Sequence, residues 1–141
     1  MRLRRSTQLF ASAALILGIA ALGAEHPAAW QTEAATLANP VDSSASSIAA
    51  GKKLYDAQCT ACHGPMGKGD GKGGEMLTPP PADLTDASSK HGSSDSEIFV
   101  VIRDGVQGTG MRPYGSRIST NDLWNIVNYI RTLGPDAPSF H

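Results

Sequence analysis

The sequence places Cys59, Cys62 and His63 within five residues, in the run CTACH, and contains no other cysteine. Spaced i, i+3 and i+4, the three side chains project from one face if the preceding helix continues through them. That pattern narrows the choice of fold. A disulfide between Cys59 and Cys62 would close almost no loop and so constrain the unfolded chain little. A thioredoxin-like dithiol needs its pair at the start of a helix in a βαβ setting, and no strand pattern appears in the sequence. Structural zinc takes four Cys or His ligands in paired spacing, whereas the remaining histidines are His26 near the N-terminus, His91, and His141 at the end.

What fits is a rigid planar ligand with two attachment points beside a central metal. Two thiols add to the two vinyl groups of haem as thioethers while the imidazole reaches the iron from the same side, and Cys-x-x-Cys-His is the signature of that attachment. Gly64 to Ser94 is a run of 31 residues with little regular pattern, six glycines in its first eleven, and Pro79-Pro80-Pro81. Irregular loops beyond about 12–15 residues are uncommon in compact domains unless functional or disordered. Five aromatics between residues 47 and 134 make a thin core for a domain of that size. A large buried apolar ligand resolves both points, because the loop can wrap it and the helices can pack on it. The run GKGDGKGG (Gly67 to Gly74) is no phosphate loop, since it lacks the Gly-Lys-Ser/Thr ending and follows no strand. Its glycines let the backbone pass close to the ligand.

The chain divides into four parts. Residues 1–24 read as a secretory signal peptide: Arg2, Arg4 and Arg5, then the apolar run Leu9 to Ala24, ending in small residues with cleavage near Gly23 or Ala24. The 16-residue run falls short of the ~20 that span a bilayer; a retained N-terminal anchor is the alternative. Residues 25–46, rich in Ala, Ser, Thr and Pro without an apolar period, read as a flexible linker. Residues 47–134 are the folded domain and 135–141 a C-terminal tail. Of 12 Lys+Arg and 13 Asp+Glu in the chain, the domain keeps nine of each. No basic run with interleaved aromatics appears, which argues against a nucleic-acid partner.

Three helices are expected. The first covers about Ser47 to Gln58, with Ile48, Gly51, Leu54 and Tyr55 near one face. The second starts at Ser94, with Glu97 placed to complete a capping box, and stops at Gly105. The third starts at Ser119, with Asp122 at the reciprocal position, and carries the stripe Leu123, Ile126, Val127, Ile130 and Leu133 up to Gly134-Pro135. A short helical turn near Asp83 to Ser88 is weakly signalled.

A haem iron with one histidine has either an open position or a second ligand, which would come from Met66, Met76, Met111 or a histidine. Met66 follows His63 too closely to reach the opposite face of a haem, and Met76 would need a tight wrap just before the triple proline. Met111 lies 48 residues beyond His63 in GTGMRPYG, between the second and third helices, where Gly110 and Pro113 shape the backbone. A methionine in such a loop, off any apolar helix face, is the best ligand candidate, with His91 its competitor. Met/His ligation raises the reduction potential and suits electron transfer.

Taken together, GKKLYDAQCTACHGPMGKGDG, PPPADLTD, IRDGVQGTGMRPYG and LWNIVNYIRTL resemble the class I cytochromes c, monohaem and of bacterial periplasmic type, over about Ile48 to Leu133. The resemblance implies an all-α fold, a small cytochrome c fold of three to five helices wrapped around one covalently bound haem. It implies cofactor binding by Cys59, Cys62, His63 and Met111, with His63 and Met111 on the metal, and a cofactor of one haem c with its iron. It matches Gly51 and Tyr55 of the first helix, and Ile126 and Tyr129 of the last, to the positions where those helices cross. A carbonyl of Pro79, Pro80 or Pro81 is implied as acceptor of the His63 ring N–H. Relatives often have proline directly after the ligand methionine; here Arg112 intervenes, either solvated or reaching a haem propionate or a partner carboxylate. A ring of lysines is not evident, and balanced charge gives no strong steering toward an acidic partner.

The expected function is one-electron transfer between periplasmic redox partners, without a catalytic residue and not as an enzyme. The donor would be a dehydrogenase or bc-type complex, and the acceptor a terminal oxidase or reductase. The protein would be a monomer, exported, and membrane-tethered if the leader is retained. The alternatives are a fixed haem subunit of a larger dehydrogenase or oxidoreductase complex, and a haem peroxidase-like enzyme.

Overall fold

The computed structural model describes residues 33–34, 36–86 and 94–134. The signal-peptide stretch, the tail, His26, His91 and His141 lie outside them. The described residues contain helices and turns and no strand. Helix α1 is Ala45–Gln58, α2 is the single turn Thr60–His63, α3 is Asp95–Asp104 and α4 is Thr120–Arg131. A 3₁₀ turn, Lys72–Gly74, lies in the long loop.

The helix ends follow local chemistry. Ser44 caps α1 by accepting from the Ser47 amide, so the helix starts two residues before the expected Ser47. At α3 the Ser94 hydroxyl accepts from the Glu97 amide and the Glu97 carboxylate accepts from the Ser94 amide, the complete capping box. Gly105, at φ 71°, ends α3. Ser119 caps α4, but Asp122 returns its bond to the Ser119 hydroxyl rather than to the backbone. Asp83 accepts from the Thr85 amide and hydroxyl, which makes a turn and not a helix over the described part of Asp83–Ser88.

The core forms where α1 and α4 meet, the most extensive helix–helix interface among the described residues. Gly51 faces α4 so closely that a methyl group there would overlap the Asn125 carbonyl. Tyr55 and Tyr129 flank the crossing with ring centroids 5.2 Å apart, and Ile126 and Val127 are wholly buried beside them. Helix α3 adds Phe99, stacked on Trp124 at 4.1 Å.

One boundary needs correction. The part of the expected linker that is described lies on the domain: Ala34 is buried in the core cluster, with Leu37 and Val41 packed against it. Asn128 of α4, 2% exposed, donates to Ser47 Oγ at 2.8 Å and to the Val41 carbonyl at 3.2 Å, and accepts from Asn39 Nδ2 at 2.8 Å. Ser47 Oγ in turn donates to Asn125 Oδ1 at 2.7 Å. The stretch thus docks through both apolar contacts of Ala34, Leu37 and Val41 and hydrogen bonds to a residue more than 80 positions away.

Candidate functional site

Helix α1 does not continue unbroken through the cysteines as expected. It pauses at Cys59, whose backbone stays in the α-helical region at φ −113°, ψ −34°. It then resumes as α2, with the His63 amide bonded to the Cys59 carbonyl at 2.9 Å. The helical sense survives the pause, and Cys59, Cys62 and His63 remain on one short segment, each half-buried. Gly64, at φ 75°, turns the chain out of α2, and Tyr55 Oη donates to its carbonyl at 2.8 Å.

The glycine loop then folds back over the segment it has just left. The Gly69 amide donates to the His63 carbonyl at 2.9 Å and the Gly71 amide to the Cys62 carbonyl at 3.1 Å, occupying carbonyls left open at the helix end. At Gly71 an added Cβ would lie 2.7 Å from backbone carbons of Ala61 and Cys62. Only glycine permits that approach.

His63 Nδ1 lies 3.1 Å from the Ala82 carbonyl. The acceptor is thus one residue beyond the expected Pro79, Pro80 or Pro81. Ala82 is held by its surroundings: the Pro81 and Ala82 carbonyls both crowd Gly69, and the Leu84 amide bonds to the Gly67 carbonyl at 2.6 Å. A carbonyl only accepts, so Nδ1 carries the proton and Nε2 keeps its lone pair. Burial holds the His63 pKa below its ordinary value and so favours the neutral imidazole, while the hydrogen bond to Ala82 partly opposes that shift. A neutral histidine with one nitrogen committed to a carbonyl is oriented to offer the other to a metal.

Cys59 and Cys62 are free thiols. Burial pushes Cys59 up to about 12, with the neighbouring Cys62 adding to the shift. A reactive dithiol has its thiolate favoured, and Cys59 is the reverse. Among the described residues no three His, Cys, Asp or Glu side chains gather into a metal-holding group. The donor chemistry fits haem c: two free thiols for thioether formation, one oriented neutral imidazole, and glycines that bring the backbone close.

Of the described methionines, Met66 and Met76 are 61% and 93% exposed, whereas Met111 is half-buried against the core cluster that also receives Cys59. The Met111 loop is tightly built. Its carbonyl accepts from the Val106 amide at 3.0 Å, and its amide donates to Thr109 Oγ1 at 3.1 Å. Gly110 packs on the Leu77 side chain, which joins the methionine loop to the end of the glycine loop. Arg112 is exposed. The Ala82 carbonyl escaped sequence reasoning because a backbone acceptor leaves no mark in residue type.

Residues 46–130 match the family model described as cytochrome c oxidase, cbb3-type, subunit III. The chain is similar to cytochrome c-554(547) of Halothiobacillus neapolitanus, at 33% identity over 95 residues, 63% of this chain and 99% of that protein. It is also similar to the cbb3-type cytochrome c oxidase subunit FixP of Azorhizobium caulinodans, at 31% identity over 84 residues. That match takes in 60% of this chain and spans 26% of the FixP sequence. A solved structure titled as a reducing HAO-like protein complex of Kuenenia stuttgartiensis aligns at TM-score 0.62 and 28% identity, covering 67% of this chain and 47% of that one.

Proposed function

Since the chain belongs to the c-type cytochrome family described as cbb3-type cytochrome c oxidase subunit III, with electron transfer through covalent haem c as its function, we propose that it is a free one-electron carrier with His63 and Met111 as axial ligands. Haem c, when bound, supplies an iron that changes oxidation state by one electron. Cys59 and Cys62 would hold it as thioethers, each S–H adding across a vinyl group. His63 would ligate through Nε2 while Nδ1–H stays on the Ala82 carbonyl. The half-buried Met111 would supply the second protein ligand, and an iron held by both His63 and Met111 would offer no ready place to a substrate. That is the ground for reading a carrier and not an enzyme.

The observation that carries this reading is the oriented, neutral His63 on the same short segment as two free thiols. The test is the absorption spectrum of the purified holoprotein. A sulfur-to-iron charge-transfer band should be present in the ferric state and absent from Met111→Ala, whose reduction potential should be lower. Persistence of the band in Met111→Ala, or an unchanged potential, refutes the ligand assignment.

A second reading, a fixed haem subunit, is supported by the similarity to segments of longer proteins named as an oxidase subunit and a complex. The 99% coverage of cytochrome c-554(547) favours the free carrier. Size-exclusion of native extracts separates them: a free carrier elutes as a monomer, a subunit with its complex. The redox partners we propose are a dehydrogenase or bc-type complex as donor and a terminal oxidase or reductase as acceptor. Among the described residues no helix is long and apolar enough to cross a membrane. Periplasmic location is proposed from the leader at residues 1–24, and the mass of the mature protein tests cleavage near Gly23 or Ala24.

A further inference from the structure

In an unbroken helix the Gln58 carbonyl would accept from the Cys62 amide four residues on. Here that amide bonds to the Cys59 carbonyl at 3.1 Å. The Gln58 carbonyl, in the residue just before the first cysteine, accepts instead from Tyr114 Oη at 3.1 Å. The Tyr114 backbone is anchored elsewhere. Its amide donates to the Ile102 carbonyl at 3.0 Å, and the Gly115 amide to the Arg103 carbonyl at 2.9 Å, so both bonds fall on the open end of α3. The ring packs against the core cluster, with the Arg117 guanidinium 5.9 Å from its centroid. Three residues before Tyr114, in the same loop, is Met111.

We infer that Tyr114 is a positioning residue for the axial methionine, its phenol tying the Met111 loop to the Gln58–Cys59 junction where haem is attached. The inference rests on the assignment of Met111 as ligand. Among the described residues the loop's hydrogen bonds to the rest of the domain are of two kinds: backbone bonds to the end of α3, and this one side-chain bond to the cysteine segment. Without the hydroxyl the loop stays on α3 but is no longer tied to the junction. Conformations in which the methionine is off the iron then gain population, by the factor of roughly five that one neutral hydrogen bond carries. An exogenous ligand that competes with the methionine binds in proportion to that population.

The experiment is an imidazole titration of the ferric, full-length holoprotein, followed by the change in the main haem absorption band, with loss of the sulfur-to-iron band as a second signal in the variants that retain Met111. Tyr114→Phe keeps the ring and should bind imidazole roughly fivefold more tightly than wild type. Tyr114→Leu serves as a second variant with the same expected direction. Ser47→Ala removes a tertiary hydrogen bond at the other end of α1, and it should leave the imidazole affinity unchanged even where it lowers thermal stability. An affinity in Tyr114→Phe equal to wild type, or an equal gain in Ser47→Ala, overturns the positioning role. Met111→Ala separates the two levels of inference. If it binds imidazole no better than wild type, the ligand assignment itself fails; if it gains strongly while Tyr114→Phe does not, only the role of Tyr114 fails.

Discussion

Replacing Gly51 by alanine tests the packing on which the domain depends. The added methyl would overlap the Asn125 carbonyl and lie 3.0 Å from Tyr129 Cβ. Both belong to the frame of α4, so no side-chain rotation relieves the overlap and the helices must part. A radial gap of 0.5–1 Å already forfeits about a quarter to a half of the dispersion between facing atoms, and the atoms affected include the Tyr55–Tyr129 pair. Overpacking of this kind costs about 1–3 kcal/mol, and a clash against backbone belongs at the upper end. The better helix propensity of alanine returns about 1 kcal/mol. A net loss of about 2 kcal/mol lowers the melting temperature of a domain this size by roughly 8–16 °C. The assay is thermal unfolding of the holoprotein by far-ultraviolet circular dichroism, with Gly134→Ala as control, because nothing lies within 4 Å of a Cβ there. A Gly51→Ala protein that melts at or above the wild-type temperature would refute the close-crossing argument.

Asn128→Ala should cost about 2–4 kcal/mol in denaturant unfolding, because it leaves the Asn39 amide and the Ser47 hydroxyl short of a partner beside a buried helix; a loss under half of that would show the network to be dispensable. Ser94→Ala breaks the capping box of α3 and should destabilise by about 1 kcal/mol, read as a shift in denaturant midpoint without a change in slope. Arg103 holds the carboxyls of Glu33 and Asp104 below their ordinary values by direct hydrogen bonds. A depressed carboxylate stabilises the fold above its unfolded pKa and ceases to as pH falls through its folded one. The melting-temperature advantage of wild type over Arg103→Gln should therefore be full at neutral pH and shrink below the ordinary values of 4.5 and 3.8. An advantage that holds constant or grows on acidification contradicts this.

The sequence by itself determined what depends on neighbours a few residues apart. Ser94 with Glu97, Gly105 and Ser119 marked helix ends correctly because capping is a contact across one turn. The cysteine–histidine run declared its chemistry for the same reason: two thiols and an imidazole must leave one short segment to serve one planar ligand. Gly51 and Tyr55 were legible as crossing positions through resemblance, and the reason is steric, since only glycine admits the α4 backbone.

Tertiary structure decided the contacts made over long separations. The acceptor for His63 proved to be Ala82, beyond the triple proline, because the register of the returning loop is set by the Gly67–Leu84 and Gly69–Pro81 approaches. The segment before α1 is docked by Asn128, a polar residue on an apolar helix whose partners lie at the other end of the chain. The pause at Cys59 and the Tyr114 bond that uses the freed Gln58 carbonyl belong to the same class. A backbone carbonyl has no residue-type signature, so its partner is known only once the chain has folded back upon it.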